Sequence, residues 1–180
     1  MGLYLVESVL PRRLRDQAAL EDAANTVAGL AAQRASELIE VQVASDFTRA
    51  FFVVESENQG TVRQLFTDQA IPVTLVKPVR LVGADLDQVK ANAAKVRFVV
   101  EWNLPEGLTM DAYLQRKKQN SVHYAEVPEV TFQRTYVCED MTKCLCFYDS
   151  PDEETVYAAR RAVSAPVDAI TETVQISPRK

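Results

Sequence analysis

Leu3-Tyr4-Leu5-Val6-Glu7-Ser8-Val9-Leu10-Pro11 lies over Arg97-Phe98-Val99-Val100-Glu101-Trp102-Asn103-Leu104-Pro105 when the chain is shifted by 94 residues. The same shift, without a gap, sets Phe47-Thr48-Arg49 over Met141-Thr142-Lys143 and Glu55-Ser56 over Asp149-Ser150. It also sets Thr61-Val62 over Thr155-Val156 and Pro72-Val73 over Pro166-Val167. About sixteen identities in roughly eighty positions are modest in number, but they keep one register from end to end. The expected organisation is a diverged first repeat over 1–83, a polar, partly helical linker over 84–94, and a second repeat over 95–180. A half of this size can fold but gains from a partner, and the nearest matching apolar face is that of its twin.

Each half reads strand, helix, strand, strand, helix, strand. In the first, Leu3 to Val9 is β-prone and Pro11 ends it. Leu14 to Arg34 is Ala-rich, with apolar residues at helical spacing. Leu38 to Ala44 alternates, with Leu38, Glu40 and Gln42 on one side and Ile39, Val41 and Val43 on the other. Ser45 to Thr48 turns into a strand over Ala50 to Glu55, followed by a helix over Gln59 to Asp68 and a strand over Val73 to Leu81. Pro78 in that last strand suggests an edge or a bend. The second half predicts a strand over Val96 to Asn103 and a helix capped by Thr109 and running to Asn120. A hairpin of Val130 to Cys138 with Lys143 to Asp149 comes next. A helix opened by Pro151-Asp152-Glu153-Glu154 and closed by Arg160-Arg161 then leads to a strand through Thr171 to Ile176. The tail from Ser177 is expected to fray.

The order βαββαβ is the split-βαβ, ferredoxin-like unit, an antiparallel sheet with helices on one face. Its other face is too apolar here to stay wet. The expected fold class is therefore α+β: two tandem ferredoxin-like repeats forming an intramolecular pseudo-dimer in a dimeric α/β-barrel-like arrangement.

A net charge of -5 and a pI near 5.0 argue against nucleic acid, which wants a basic stripe. The cluster Arg12-Arg13 with Arg15 reads as a solvated helix entrance. No stretch approaches the roughly twenty apolar residues of a membrane span, and the start shows no signal-peptide pattern, so a soluble, cytoplasmic protein is expected. Cys138, Cys144 and Cys146, odd in number and confined to the second half, do not make a disulfide framework. No complete catalytic constellation is visible: GxSxG, HExxH and CxxC are absent, and five glycines so placed build no phosphate loop.

The second half resembles a family. The carrying residues are Phe98-Val99-Val100-Glu101, Val130 through Asp140 (Val-Thr-Phe-Gln-Arg-Thr-Tyr-Val-Cys-Glu-Asp), Thr142 through Pro151, and Ala165-Pro166-Val167-Asp168-Ala169-Ile170. Together they are similar to the small nickel-binding, ferredoxin-like family, whose members are mostly single domains that pair through their sheets. The resemblance spans nearly all of 96–176. It implies nickel or another divalent metal as cofactor, held by a histidine on the second strand. At that position this chain has Arg134, and Glu40 in the first half. Arginine, always protonated, cannot ligate a metal.

The candidate site residues each carry two readings. Glu7 and Glu101 are matching acids that suit metal ligation or general-base work across a pseudo-twofold axis. They equally suit a carboxylate paired with Arg or Lys on a neighbouring strand. Glu40 and Arg134 are expected either to meet as a salt bridge in place of the metal or to stand as separate exposed charges. His123, the single histidine, needs Glu126, Glu101 or Cys146 to make a metal site, and is otherwise a loop histidine. Cys144 and Cys146 share a strand face as soft ligands, as a reactive thiol, or as small hydrophobes. Tyr148, with Trp102, Phe132 and Tyr136, lines a cleft or fills a core.

The function expected is a small soluble binding protein that takes a metal ion or small ligand between its sheets or has lost that ability, as monomer or homodimer, and is more a binder than an enzyme. The alternatives are a small α/β-barrel enzyme, monooxygenase-like by fold analogy and using Glu101, Arg134 or Tyr148, and a protein-interaction module.

Overall fold

The computed structural model describes residues 1–91 and 95–178. Among these residues eight strands and five α-helices follow one another as β1 (Gly2–Val9), α1 (Gln17–Gln33), β2 (Glu37–Ala44), β3 (Arg49–Ser56), α2 (Gln59–Thr67), β4 (Leu75–Val82), α3 (Leu86–Lys90), β5 (Phe98–Asn103), α4 (Met110–Asn120), β6 (Thr131–Cys138), β7 (Lys143–Asp149), α5 (Glu153–Ala162) and β8 (Ala169–Ile176). By hydrogen bonding the strands take the order β1-β3-β2-β8-β5-β7-β6-β4.

The chain divides into two compact units. The first comprises residues 1–79, α3 and the end of β8 from Thr173; the second comprises 80–85 and 95–172. In the first, β1 pairs antiparallel with β3 and β4, and β2 with β3 and with Thr173 to Ile176 of β8. In the second, β5 pairs with β7 and with Ala169 to Glu172 of β8, and β6 with β7. Strand β8 thus gives its first half to one unit and its second half to the other. Pro78, opposite Tyr4 in the β1–β4 ladder, stands two residues before β4 itself passes between units.

Helix α1 starts three residues later than the apolar spacing predicts. Arg12–Leu14 forms a 3-10 turn after Pro11, and the extended Asp16 takes the Ala19 N–H at 2.9 Å as an N-cap. Leu20, Ala24, Val27 and Ala31 recur at the spacing of one helix face and enter the first unit's core with Val6, Phe52, Val54, Leu65 and Phe66. The alternation predicted for β2 is interrupted by a β-bulge between Leu38 and Glu40, which puts Leu38 in the same core as Val41 and Val43.

The same devices recur in the second unit at matching positions. A bulge falls between Phe132 and Arg134. Asp46 accepts from the Thr48 N–H at 3.0 Å with Phe47 at φ 60°, and Asp140 from the Thr142 N–H at 3.1 Å with Met141 at φ 60°. Asn58 caps α2 through the Thr61 N–H at 2.8 Å, and Asp152 caps α5 through the Thr155 N–H at 2.7 Å. Ala70 and Ser164 leave those helices through left-handed φ values of 54° and 55°. Thr109 caps α4, accepting from the Ala112 N–H at 3.2 Å. A 3-10 turn, Ser121–Glu126, follows α4.

Of the expected linker, Leu86–Lys90 is the short α3, tied down by Lys90 to Glu55 at 2.8 Å and to Glu37 at 2.9 Å. Residues 92–94 of that linker, and 179–180 of the expected tail, lie outside the described residues. Among the described residues no helix is long and apolar enough to cross a membrane.

Candidate functional site

Strand alternation decides which side chains of β7 face the helices of the second unit. Cys144, Cys146 and Tyr148 are two apart and enter one core with Trp102, Tyr113, Val156 and Ala159. Opposite them, α5 buries Val156, Ala159 and Arg160, successive positions on one helix face. Arg160, only 2% exposed, therefore puts a guanidinium where helix packing calls for an apolar side chain.

The charge is held by neighbours that are not carboxylates. Arg160 Nη1 donates to Cys146 Sγ at 3.3 Å and to the Tyr148 hydroxyl at 3.1 Å, and Nη2 donates to the Pro166 carbonyl. Thr135 Oγ1 donates to Cys146 Sγ at 3.2 Å. The Tyr148 and Tyr124 hydroxyls lie 2.6 Å apart, and Tyr124 stacks on Phe132 with ring centroids at 5.4 Å. Among the described residues, Nε of Arg160 has no hydrogen-bond partner.

This arrangement shifts the sulfur and phenol equilibria in opposite directions. A hydrogen bond from Cys144, with the charges of Arg160 and Lys117 and the Thr135 hydroxyl, holds the Cys146 thiol well below its ordinary value against the opposing effect of burial. Cys144 is pushed up by its hydrogen bond to Cys146 and by burial. Burial pushes Tyr124 up to about 12 and also raises Tyr113 and Tyr148. Burial works against the charge on Arg160, but the Cys146 sulfur and Tyr148 oxygen more than offset it and keep it protonated. The result favours ionisation of Cys146 beside the Arg160 guanidinium and disfavours that of the surrounding phenols.

A cavity of about 30 Å³ opens beside this contact, lined by Trp102, Tyr113, Arg116, Lys117, Tyr124, Cys146 and Arg160, among others. Cys146 and Tyr148, both anticipated from sequence, meet here. Arg160, Lys117, Arg116 and Tyr124 are not among the residues the sequence singles out. A usable signal for Arg160 does exist: the 94-residue shift sets it over Phe66, a charge over a core aromatic.

The remaining candidates lie elsewhere. Glu7, 3% exposed, accepts from Arg49 at 2.6 Å, and Glu101, 7% exposed, from Lys143 at 2.8 Å, each base being on the neighbouring strand. Glu40 is buried at the β2 bulge, accepts from Gln42 Nε2 at 3.1 Å, and borders a groove of about 430 Å³ in the first unit with Ala28, Gly29, Ala32 and Lys90. Arg134 is buried in the second unit at the β6 bulge, 5.4 Å from the Phe147 ring centroid. His123 sits on the exposed 3-10 turn with Nδ1 2.7 Å from Glu126. Among the described residues, no three His, Cys, Asp or Glu side chains gather to hold a metal ion.

Comparison with known proteins agrees with the resemblance over the second half. Residues 98–173 match the model of a family described as nickel responsive protein SCO4226-like. The solved structure of SCO4226 from Streptomyces coelicolor A3(2) is 18% identical over 42% of this chain and 93% of its own, with a TM-score of 0.37. Two other solved structures match nearly the whole chain. A provisionally assigned chlorite dismutase, TA0507, is 10% identical over 97% of this chain and 95% of its own, with a TM-score of 0.58. A provisionally assigned monooxygenase from Lactobacillus acidophilus NCFM is 10% identical over 98% and 94%, with a TM-score of 0.54. These last two are likenesses of fold. A search of curated proteins gives no match.

Proposed function

We propose that this chain is a small-molecule-binding protein built from a duplicated ferredoxin-like domain, with its ligand cleft in the second unit. One observation carries the reading. Where the first unit seats Phe66 against Phe52, with ring centroids 4.8 Å apart, the second seats Arg160 against Cys146 at the edge of an open cavity. A buried charge is weak support for stability, because a packed apolar pair of similar volume does as well or better. A guanidinium kept at a core position beside a cleft suits recognition. The recurrence of turn, bulge, cap and ion pair at matching positions supports the duplication. Cys144 and Cys146, buried and outside any disulfide among the described residues, suit a reducing compartment, and we place the protein in the cytoplasm.

The donor set does not fit nickel, which imidazole suits best. The single histidine pairs with Glu126 on an exposed turn, and the cleft that holds Cys146 is lined by arginine and lysine, which repel a cation. Metal analysis of untagged protein, followed by nickel titration in a calorimeter, is expected to show no bound metal and no saturable heat. The cleft itself is tested by small-molecule titration read through Trp102, the only tryptophan in the chain and part of the cleft wall. Compounds that fill the cleft are expected to shift its emission and raise the melting temperature. A broad panel of acids, amines and neutral compounds that leaves both unchanged would reject the reading.

A further inference from the structure

We propose that the cleft of the second unit binds a small organic carboxylate, with the acid group among Arg160, Lys117 and Arg116 and the carbon body against Trp102 and Tyr113. This deepens the binding reading above and rests on it. The protein as a whole carries a charge of -5, yet the cleft is lined by three cationic side chains and no aspartate or glutamate. Among the described residues none of the three cations has a carboxylate partner. Arg116 donates to the Ser164 carbonyl at 2.7 Å and lies 5.5 Å from the Trp102 ring. Lys117 Nζ lies 4.3 Å from the Phe132 ring. Arg160 is spent on a thiol, a phenol and a carbonyl. Even with Cys146 ionised, one negative charge faces three positive ones.

The cations are graded by depth: Arg160 is buried, Lys117 half-buried and Arg116 exposed, which draws an anion inward. The Nε of Arg160 is a buried N–H without an acceptor among the described residues, a state that buried donors rarely keep. The geometry favours carboxylate over phosphate. Inorganic phosphate has no carbon body to lie against Trp102 and Tyr113, whereas an organic carboxylate does.

The test uses the intact protein at pH 7 and fixed ionic strength, with Trp102 emission as readout. The probes are matched pairs (butyrate and butyramide, benzoate and benzamide) and inorganic phosphate. The acids are expected to bind at least about tenfold tighter than their amides and than phosphate, as charge-assisted contacts require. Lys117→Gln, at a half-buried position, is expected to weaken the acids several-fold and the amides far less, in a protein that still unfolds cooperatively; Arg160→Lys, a second variant that retains the charge but moves the donor, is expected to weaken the acids as well. Amides binding as well as acids, or phosphate binding more tightly, would overturn the carboxylate assignment while leaving the cleft a binding site. Silence of Trp102 toward every probe would overturn both.

Discussion

The two units answer the same packing problem differently. In the first, α1 lays Leu20, Ala24, Val27 and Ala31 on the sheet, and Phe52 meets Phe66 edge to face. In the second, α4 is six residues shorter and buries only Tyr113, a 3-10 turn takes over at Ser121, and the matching pair is Cys146 and Arg160. The hairpin turns, the bulges and the caps of α2 and α5 nevertheless recur at matching positions. The difference teaches that backbone devices hold such a unit in shape, while the side chains between helix and sheet are left free to become a dry core or a polar cleft.

The comparison can be broken most forcefully at Phe66. Phe66→Ala should cost about 3–5 kcal/mol in urea unfolding, because the first unit has nothing but apolar packing at that point. Next in size is the ion pair that both units share. Lys143→Met should cost about 2–3 kcal/mol by removing a charge partner from the buried Glu101, and Arg49→Met should cost less, because Arg49 is 34% exposed against 13% for Lys143. Converting the second unit to the pattern of the first sharpens the contrast. The double variant C146F/R160F should lie within about 1 kcal/mol of the native protein or be more stable, since apolar replacement of buried charge is often neutral or favourable. Its Trp102 should no longer respond to ligands. Asn58→Ala should cost about 1 kcal/mol through loss of the α2 cap, read as a lowered melting temperature.

The smallest effect is spectroscopic and distinguishes the units by pH. The folded Cys146 pKa lies below the unfolded thiol value of about 8.5. Its contribution to stability is therefore fully present above that unfolded value and is lost as the pH falls through the folded one. Thiolate absorbance near 240 nm should show one ionised thiol per chain persisting below pH 8.5, and Cys146→Ser should remove it. Persistence of the signal in that variant would shift the assignment to Cys138 or Cys144.

Most of the fold was open to reading from sequence because its signals are local. Short continuous apolar runs mark β5 and β7, Asp-Xaa-Thr marks both hairpin turns, and Thr109 and Asp152 announce their helices as caps. The bulges at Leu38 and Phe132 leave no such mark, since one extra residue in an alternating run looks like continued alternation until the partner strand is known. Asp16 is the true start of α1, but it lies inside a run that is already helix-prone. The cleft was half legible. Cys146 and Tyr148 follow from strand parity, whereas Arg160 reads at first as a basic residue favouring the C-terminal end of its helix. Its burial depends on which face of α5 meets β7, a fact of tertiary packing.

One consequence follows from the divided loyalty of β8. Val41 to Ala44 of β2 find their hydrogen-bonding neighbour in Thr173 to Ile176, far along the sequence. On the ribosome the half that emerges first must wait for β8 to be made before its β2 edge is covered. Nascent chains stalled before residue 173 would bare that valine-rich edge to other strands, so stops that remove β8 should yield aggregates rather than a trimmed but working protein.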